Sequence, residues 1–193
     1  MNKPQHGTRA RVTPRPSNYI GNLTGKEFEK LIVEQCAIYE KCNVACIGRY
    51  GVQATRSRDE WVILSSLPDF EGDCYEPRQE HVIFDAKVCS QASFGLSKYR
   101  NEVRGARRRQ LNHMFKRDRF GAKCFFLIHW NDRKLKSRTD YAITYRFPVS
   151  LHMVFWQAFE AGEVKSITRA DCETYGLPVE WTGGRKLRPD FMK

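Results

Sequence analysis

The sequence has no C-x-x-C pair, no apolar run of membrane-spanning length and few acids for its many bases. Its seven cysteines, Cys36, Cys42, Cys46, Cys74, Cys89, Cys124 and Cys172, are odd in number and scattered. That pattern supports neither a disulfide framework nor a zinc ribbon and reads as reduced thiols. Cys36 and Cys124 stand in apolar patterns, where Cys serves as a small hydrophobe. The longest apolar run, Cys124 to Trp130 around His129, falls far below the ~20 residues of a membrane span, and the first residues lack the apolar core of a signal peptide. No membrane partner is expected, and the protein is read as cytoplasmic: nucleoid-associated, or in the host cytoplasm if phage-encoded. Internal repeats are missing too.

Acid is the scarce charge. Against 33 Lys and Arg stand 22 Asp and Glu, a net +11 at pH 7 with a pI near 9.5. Such an excess calls for an anionic partner, and nucleic acid comes first. With 41% hydrophobic and 28% charged residues over 193 positions, global disorder and a fibrous fold are both excluded, and one globular domain is expected.

Residues 1–18 hold three prolines, four cations and almost nothing apolar, which describes a flexible basic arm that cannot repay its own ordering. A domain is expected over 19–182, followed by a basic tail over 183–193. Thr24 with Glu27 makes a capping box ahead of Phe28, Leu31, Ile32, Cys36 and Tyr39 at helical spacing, so a helix is predicted over about Gly25 to Lys41. Three strand-like runs follow, Asn43 to Gln53, Trp61 to Leu67 and His81 to Cys89, separated by polar turns, one of them around Glu71, Gly72 and Asp73.

Leu96 to Lys116 reads as a basic amphipathic helix, with Gln110 on the stripe of Val103, Ala106, Leu111 and Met114. Ala122 to Trp130 suits a strand buried on both faces, Asp140 to Phe147 a further strand, and two helices follow Pro148 and Thr168. The fold class is therefore α/β, with a mixed central β-sheet flanked by α-helices.

Strand alternation in His81 to Lys87 sends Val82, Phe84 and Ala86 to one face and Ile83, Asp85 and Lys87 to the other. Pro68-Asp69 stands before the preceding turn, so a meander brings Asp69 to the neighbouring strand end. Two carboxylates and an ammonium then share a small volume. Like charges so close raise one another's pKa unless a cation lies between them. Mg2+ is the natural occupant, with Mn2+ as its substitute. A metal there polarises phosphate and lowers the pKa of a bound water, while Lys87 orients that water or stabilises the developing charge. Taken alone, Asp-Ala-Lys on a strand also fits a surface ion pair, and Gln110 also fits a simple backbone contact at a strand end.

The order of parts, a helix with Glu29, then Pro68-Asp69, Asp85-Ala86-Lys87, a basic helix and a buried strand, is that of the PD-(D/E)xK nuclease core, with its restriction-endonuclease-like αβββαβ arrangement. More closely, the chain resembles the RecU-type Holliday junction resolvases, in patches from about Gly25 to Pro178. The resemblance is carried by Gly25-Lys26-Glu27-Phe28-Glu29, Asp69-Phe70-Glu71-Gly72, Phe84-Asp85-Ala86-Lys87, Ser93-Phe94-Gly95-Leu96, Gln110-Leu111-Asn112-His113-Met114, the strand Phe125-Phe126-Leu127-Ile128 and the approach Ser166-Ile167-Thr168.

The resemblance implies a Mg-dependent endodeoxyribonuclease, homodimeric, that resolves four-way junctions by paired nicks. It implies Lys87, Asp85, Asp69 and Glu29 as catalytic residues, and Asp69, Asp85 and Gln110 as metal ligands. Arg104, Arg107, Arg108 and Arg109 flank the Gln110 stripe and are expected to contact DNA, as are Arg56 and Arg58 in the projection between the first motifs.

Three departures stand out. Asp85 takes the place of the usual Glu. Leu67 replaces a Thr two positions before Asp69, which leaves its ligand role to Glu71 or a water. The stretch where the family carries a long stalk is shorter here. A branch-trimming or restriction-like nuclease on the same core, and a non-catalytic basic module that coats nucleic acid, remain the alternatives. His113 and His129 read as structural; His6, His81 and His152 show no ligand spacing. Trp61, Trp130, Trp156 and Trp181 read as core or interface anchors.

Overall fold

Thr24 starts the first helix, α1 (Gly25–Lys41), by accepting from the Glu27 amide while the Glu27 carboxylate accepts from the Thr24 amide at 2.7 Å. The helix ends on Asn43, whose φ of 54° lets Val44 N–H reach back to Tyr39 O at 2.8 Å and Asn43 N–H to Glu40 O at 3.1 Å. This is a Schellman stop with Asn in place of the usual glycine. Phe28, Ile32, Cys36 and Tyr39 form its buried face.

The computed structural model describes residues 19–50, 54–57, 60–63, 67–75, 79–100, 106–135, 139–183 and 187–192. The arm read over 1–18 lies outside them. Strands β1 (Ala45–Arg49), β2 (Ala54–Ser57), β3 (Glu60–Ile63), β4 (Phe70–Cys74), β5 (Glu80–Cys89) and β6 (Ser93–Gly95) come first. Helices α2 (Ser97–Arg100) and α3 (Ala106–Arg119) lead to β7 (Lys123–Trp130). Strands β8 (Arg133–Lys134), β9 (Thr139–Asp140) and β10 (Ile143–Pro148) precede α4 (Val149–Glu160). The chain closes with β11 (Ser166–Thr168), α5 (Arg169–Tyr175), β12 (Leu177–Pro178), β13 (Glu180–Thr182) and β14 (Arg188–Asp190).

The central sheet has the order β1-β4-β5-β7-β10-β12. Its one parallel pair, β5 with β7, is joined by the crossover that carries α2 and α3; the other pairs are antiparallel. The fold is therefore α/β with a mixed sheet, as the sequence indicates. Val82, Phe84 and Ala86 join the core under α1, and Ile83 joins the core under α3 and α4. Phe84 stacks between Phe70 and Phe125, with ring centroids 4.9 and 5.1 Å apart.

Two readings change. Glu71, Gly72 and Asp73 are not a turn but the middle of β4, which pairs with both β1 and β5. Their polarity misleads because Phe70 and Cys74 are buried while Glu71 and Asp73 project to the other face. Gly72 is required there, since a Cβ would meet Cys46 O at 2.1 Å. The run read as one strand over Trp61 to Leu67 contributes β3, which pairs with β2 in a hairpin apart from the central sheet.

Within the stretch read as a basic tail, β14 pairs with β13, Tyr39 OH donates to Asp190 at 2.7 Å and Phe191 is buried against Phe84 and Tyr39. The helix read over Leu96 to Lys116 comprises α2 and α3, with 101–105 outside the described residues. Among the described residues no helix is long and apolar enough to cross a membrane.

Candidate active site

The β4–β5 register pairs Phe70 with Phe84, so Asp69, one residue before β4, falls opposite Asp85. Two backbone contacts hold it there: Tyr50 N–H donates to Asp69 O at 2.9 Å, and Ala86 N–H donates to Asp69 Oδ2 at 3.1 Å. Asp85 and Lys87 project from β5 on the α3 side. The Lys87 ammonium lies directly against Asp85 Oδ2 and 3.9 Å from Asp69 Oδ2. The carboxylate of Asp85 is fully buried, whereas the side chains of Lys87 and Asp69 are 23% and 29% exposed. An arriving anion therefore meets an ammonium and one carboxylate at a lip over a dry second carboxylate.

Burial is the main force on Asp85 and lifts its carboxyl to about 7; Lys87 opposes that rise and Asp69 adds to it. Lys87 also suffers from burial, but Asp85 and Asp69 outweigh it and hold the ammonium above the ordinary lysine value. Gln110, on α3, completes the floor. Its Nε2 donates both to Asp85 Oδ1 and, at 3.1 Å, to Leu67 O. The amide thus meets the site through its nitrogen and clamps the carboxylate. The position where a Thr ligand is missing contributes instead a backbone carbonyl that orients Gln110.

Glu29 and Arg49 form an ion pair on the other side of the sheet, because Arg49 shares the face of Ala45 and Ile47, toward α1. Glu71 is engaged elsewhere: it contacts His81 Nε2 at 2.7 Å and Arg117 at 3.6 Å, while His81 Nδ1 lies 2.9 Å from Asp73. Arg56 stands opposite Trp61 in the β2–β3 hairpin. Arg58 and Arg104 lie outside the described residues. Arg107 is half-buried on α3, Arg108 is 3.7 Å from Glu160, and Arg109 is exposed.

Among the described residues no group of three or more His, Cys, Asp or Glu surrounds a common point. Two adjacent carboxylates of hard oxygen donors fit Mg2+, which keeps several of its waters and takes one or two carboxylates from protein.

Sequence reasoning missed the support behind Asp85. Phe126 is its register partner on β7, and the buried His152 ring packs on Phe126 with centroids 4.3 Å apart. His152 Nε2 and Tyr99 OH are 3.1 Å apart. The available signal was a histidine on the stripe of Val149, Met153 and Trp156, which periodicity alone marks as core.

A family model, RecU, described as recombination protein U, matches residues 23–188. No curated protein matches the chain.

Proposed function

The chain belongs to the RecU family, and on that premise we propose that it is a metal-dependent endonuclease that resolves four-way DNA junctions by paired nicks. The observation that carries this reading is the meeting of Asp69, Asp85 and Lys87 at one lip, with Gln110 beneath. A non-catalytic module that merely coats DNA has no use for two carboxylates placed where phosphate arrives.

Asp69 and Asp85 are the residues to hold Mg2+ or Mn2+, with Gln110 beside them. Bound there, the ion supplies Lewis acidity toward a phosphate oxygen and a lowered pKa for water. Lys87 places its ammonium where the attacking water and the phosphorus oxygens gather negative charge, and stabilises the transition state more than the bound substrate. Gln110 fixes the Asp85 carboxylate in one orientation. Arg56, Arg58, Arg104, Arg107, Arg108 and Arg109 are assigned to DNA, and Glu29 with Arg49 to the α1 side of the same sheet end.

A homodimer presents two such sites about a two-fold axis, which matches the symmetry of a four-way junction. Action on recombining DNA supports a cytoplasmic location, which we read as with the nucleoid or with phage DNA in a host. A labelled junction incubated with Mg2+, with Mn2+ and with chelator tests the reading. Nicks in the first two alone support it; intact DNA throughout overturns it.

A further inference from the structure

We propose that a cavity lined by Arg146, near the start of β7, is a docking site for a carboxylate-bearing peptide segment of a partner protein. It lies on the opposite face of the sheet from Asp85 and Lys87. Strand alternation puts Lys123 and Phe125 of β7 on the α1 side, and Arg146 of β10 joins them there, since Tyr145 and Phe147 belong to the core under α3 and α4. Lys123 stands opposite Val82, three residues before the pairing of Phe126 with Asp85, so the cavity begins about 10 Å along the strands from the catalytic lip.

The cavity holds about 190 Å3 and has mainly apolar walls, among them Phe125, Pro148 and Leu177. Arg146 is the group in it that needs a partner. The residue is half-buried. Its guanidinium donates one hydrogen bond, to Phe191 O at 3.0 Å, and lies 5.5 Å from the centroid of the Phe125 ring. Among the described residues no carboxylate forms an ion pair with it. Burial pulls its pKa below the ordinary arginine value, and the charge of Glu80 offsets this only in part. A desolvated cation with donors to spare is costly until an anion completes it.

The other charges at the cavity are engaged: Lys123 pairs with Glu80, and Asp118 Oδ1 accepts from the Cys124 amide at 3.4 Å. Asp118 stands toward β7, so an anion reaches Arg146 from the β12 side. There Leu177 is the register partner of Arg146 and is 53% exposed.

The lining selects the ligand. A guanidinium fork pairs bidentately with a planar carboxylate, and the leucine, proline and phenyl ring offer apolar contact to a side chain next to it. So small a space admits a carboxylate on a single stem, whereas a phosphodiester arrives with a sugar on either side and stays outside. The occupant is therefore an acidic segment of another protein, with an apolar residue beside the acid. It is held while DNA occupies the other face.

The probe is a short fluorescent peptide of aspartates around one phenylalanine, with an asparagine peptide as its neutral counterpart. Both are titrated at physiological salt against the full chain and its variants R146K, L177D and L177N. L177D sets a carboxylate opposite Arg146 in place of the ligand's, and L177N sets a similar shape there without charge. Wild type is expected to bind the aspartate peptide and not the asparagine one. L177D should lose about 10-fold or more of that affinity, L177N less, and R146K should weaken it by loss of the fork. Urea stability of L177D and junction affinity of all three variants should match wild type. No preference for the aspartate peptide, or equal binding of it by wild type and L177D, overturns the proposal. Displacement of the peptide by a four-way junction, with L177D weakening junction binding, gives the cavity to DNA and overturns it too.

Discussion

Gln110 and Asp85 meet as amide and carboxylate: one Gln110 nitrogen donates to Asp85 Oδ1 and to the carbonyl of Leu67. A single side chain on α3 thus fixes the orientation of a buried carboxylate on β5 and ties both to the segment leading into Asp69. Replacing it by Leu leaves the buried Asp85 oxygen and the part-buried Leu67 carbonyl without their donor, at a cost of about 1–3 kcal/mol for the buried one. Urea unfolding of Gln110→Leu should report that loss, and nicking should slow with it. Unchanged stability would mean that the clamp is not formed in solution.

Asp85→Asn keeps the volume of the side chain and removes its charge. Cleavage should disappear while junction binding stays equal or improves, because a carboxylate that repels phosphate has gone. Nicking and gel retardation on one preparation check this. Equal nicking by variant and wild type removes Asp85 from the mechanism.

Lys87→Ala takes the ammonium from the same lip. The single-turnover rate should fall about 10²–10³-fold, with little change in junction affinity, since other cations carry binding. Collapse of affinity at an unchanged saturated rate would make Lys87 a plain phosphate contact.

Acid should destabilise the fold through two buried histidines. His129 accepts no proton readily, being held at about 4 chiefly by burial, with Thr144 Oγ1 at 2.8 Å and Gly21 O at 3.0 Å around its ring. His152 is held at about 3, again chiefly by burial. Both folded values lie below the ordinary 6.5, so the unfolded chain binds more protons and stability falls as pH drops from 6.5 toward 3, at about 1.4 kcal/mol per pKa unit per group. Asp85 works in the opposite direction, since its folded value is raised. Unfolding of wild type and His152→Leu between pH 7 and 4.5 isolates one histidine: wild type should lose more stability than the variant. Equal losses would exclude His152 from the acid limb.

The alternation of Val82, Phe84 and Ala86 against Ile83, Asp85 and Lys87 was legible in the sequence, because a strand leaves a side chain only two faces. So was the cap at Thr24, a local pattern over four residues. Strand β4 was not legible: Phe70 and Cys74 are its only apolar side chains, and Gly72 and the two acids imitate a turn. Its identity depends on β1 and β5 closing on either side, a long-range fact. The nitrogen-first approach of Gln110 and the turn of Arg108 toward Trp156 likewise depend on where α3 settles against the sheet and α4. Periodicity assigns a face to each residue but does not name the atom that arrives.

Junction resolution itself is tested most directly by nicking rates on a labelled four-way junction and on linear duplexes of the same arm sequences, in Mg2+, with Asp85→Asn as the inactive control. The expected result is paired nicks on opposing strands of the junction, much slower cleavage of the duplexes, and none by the control. Equal rates on junction and duplex, or cleavage that persists in Asp85→Asn, would contradict it.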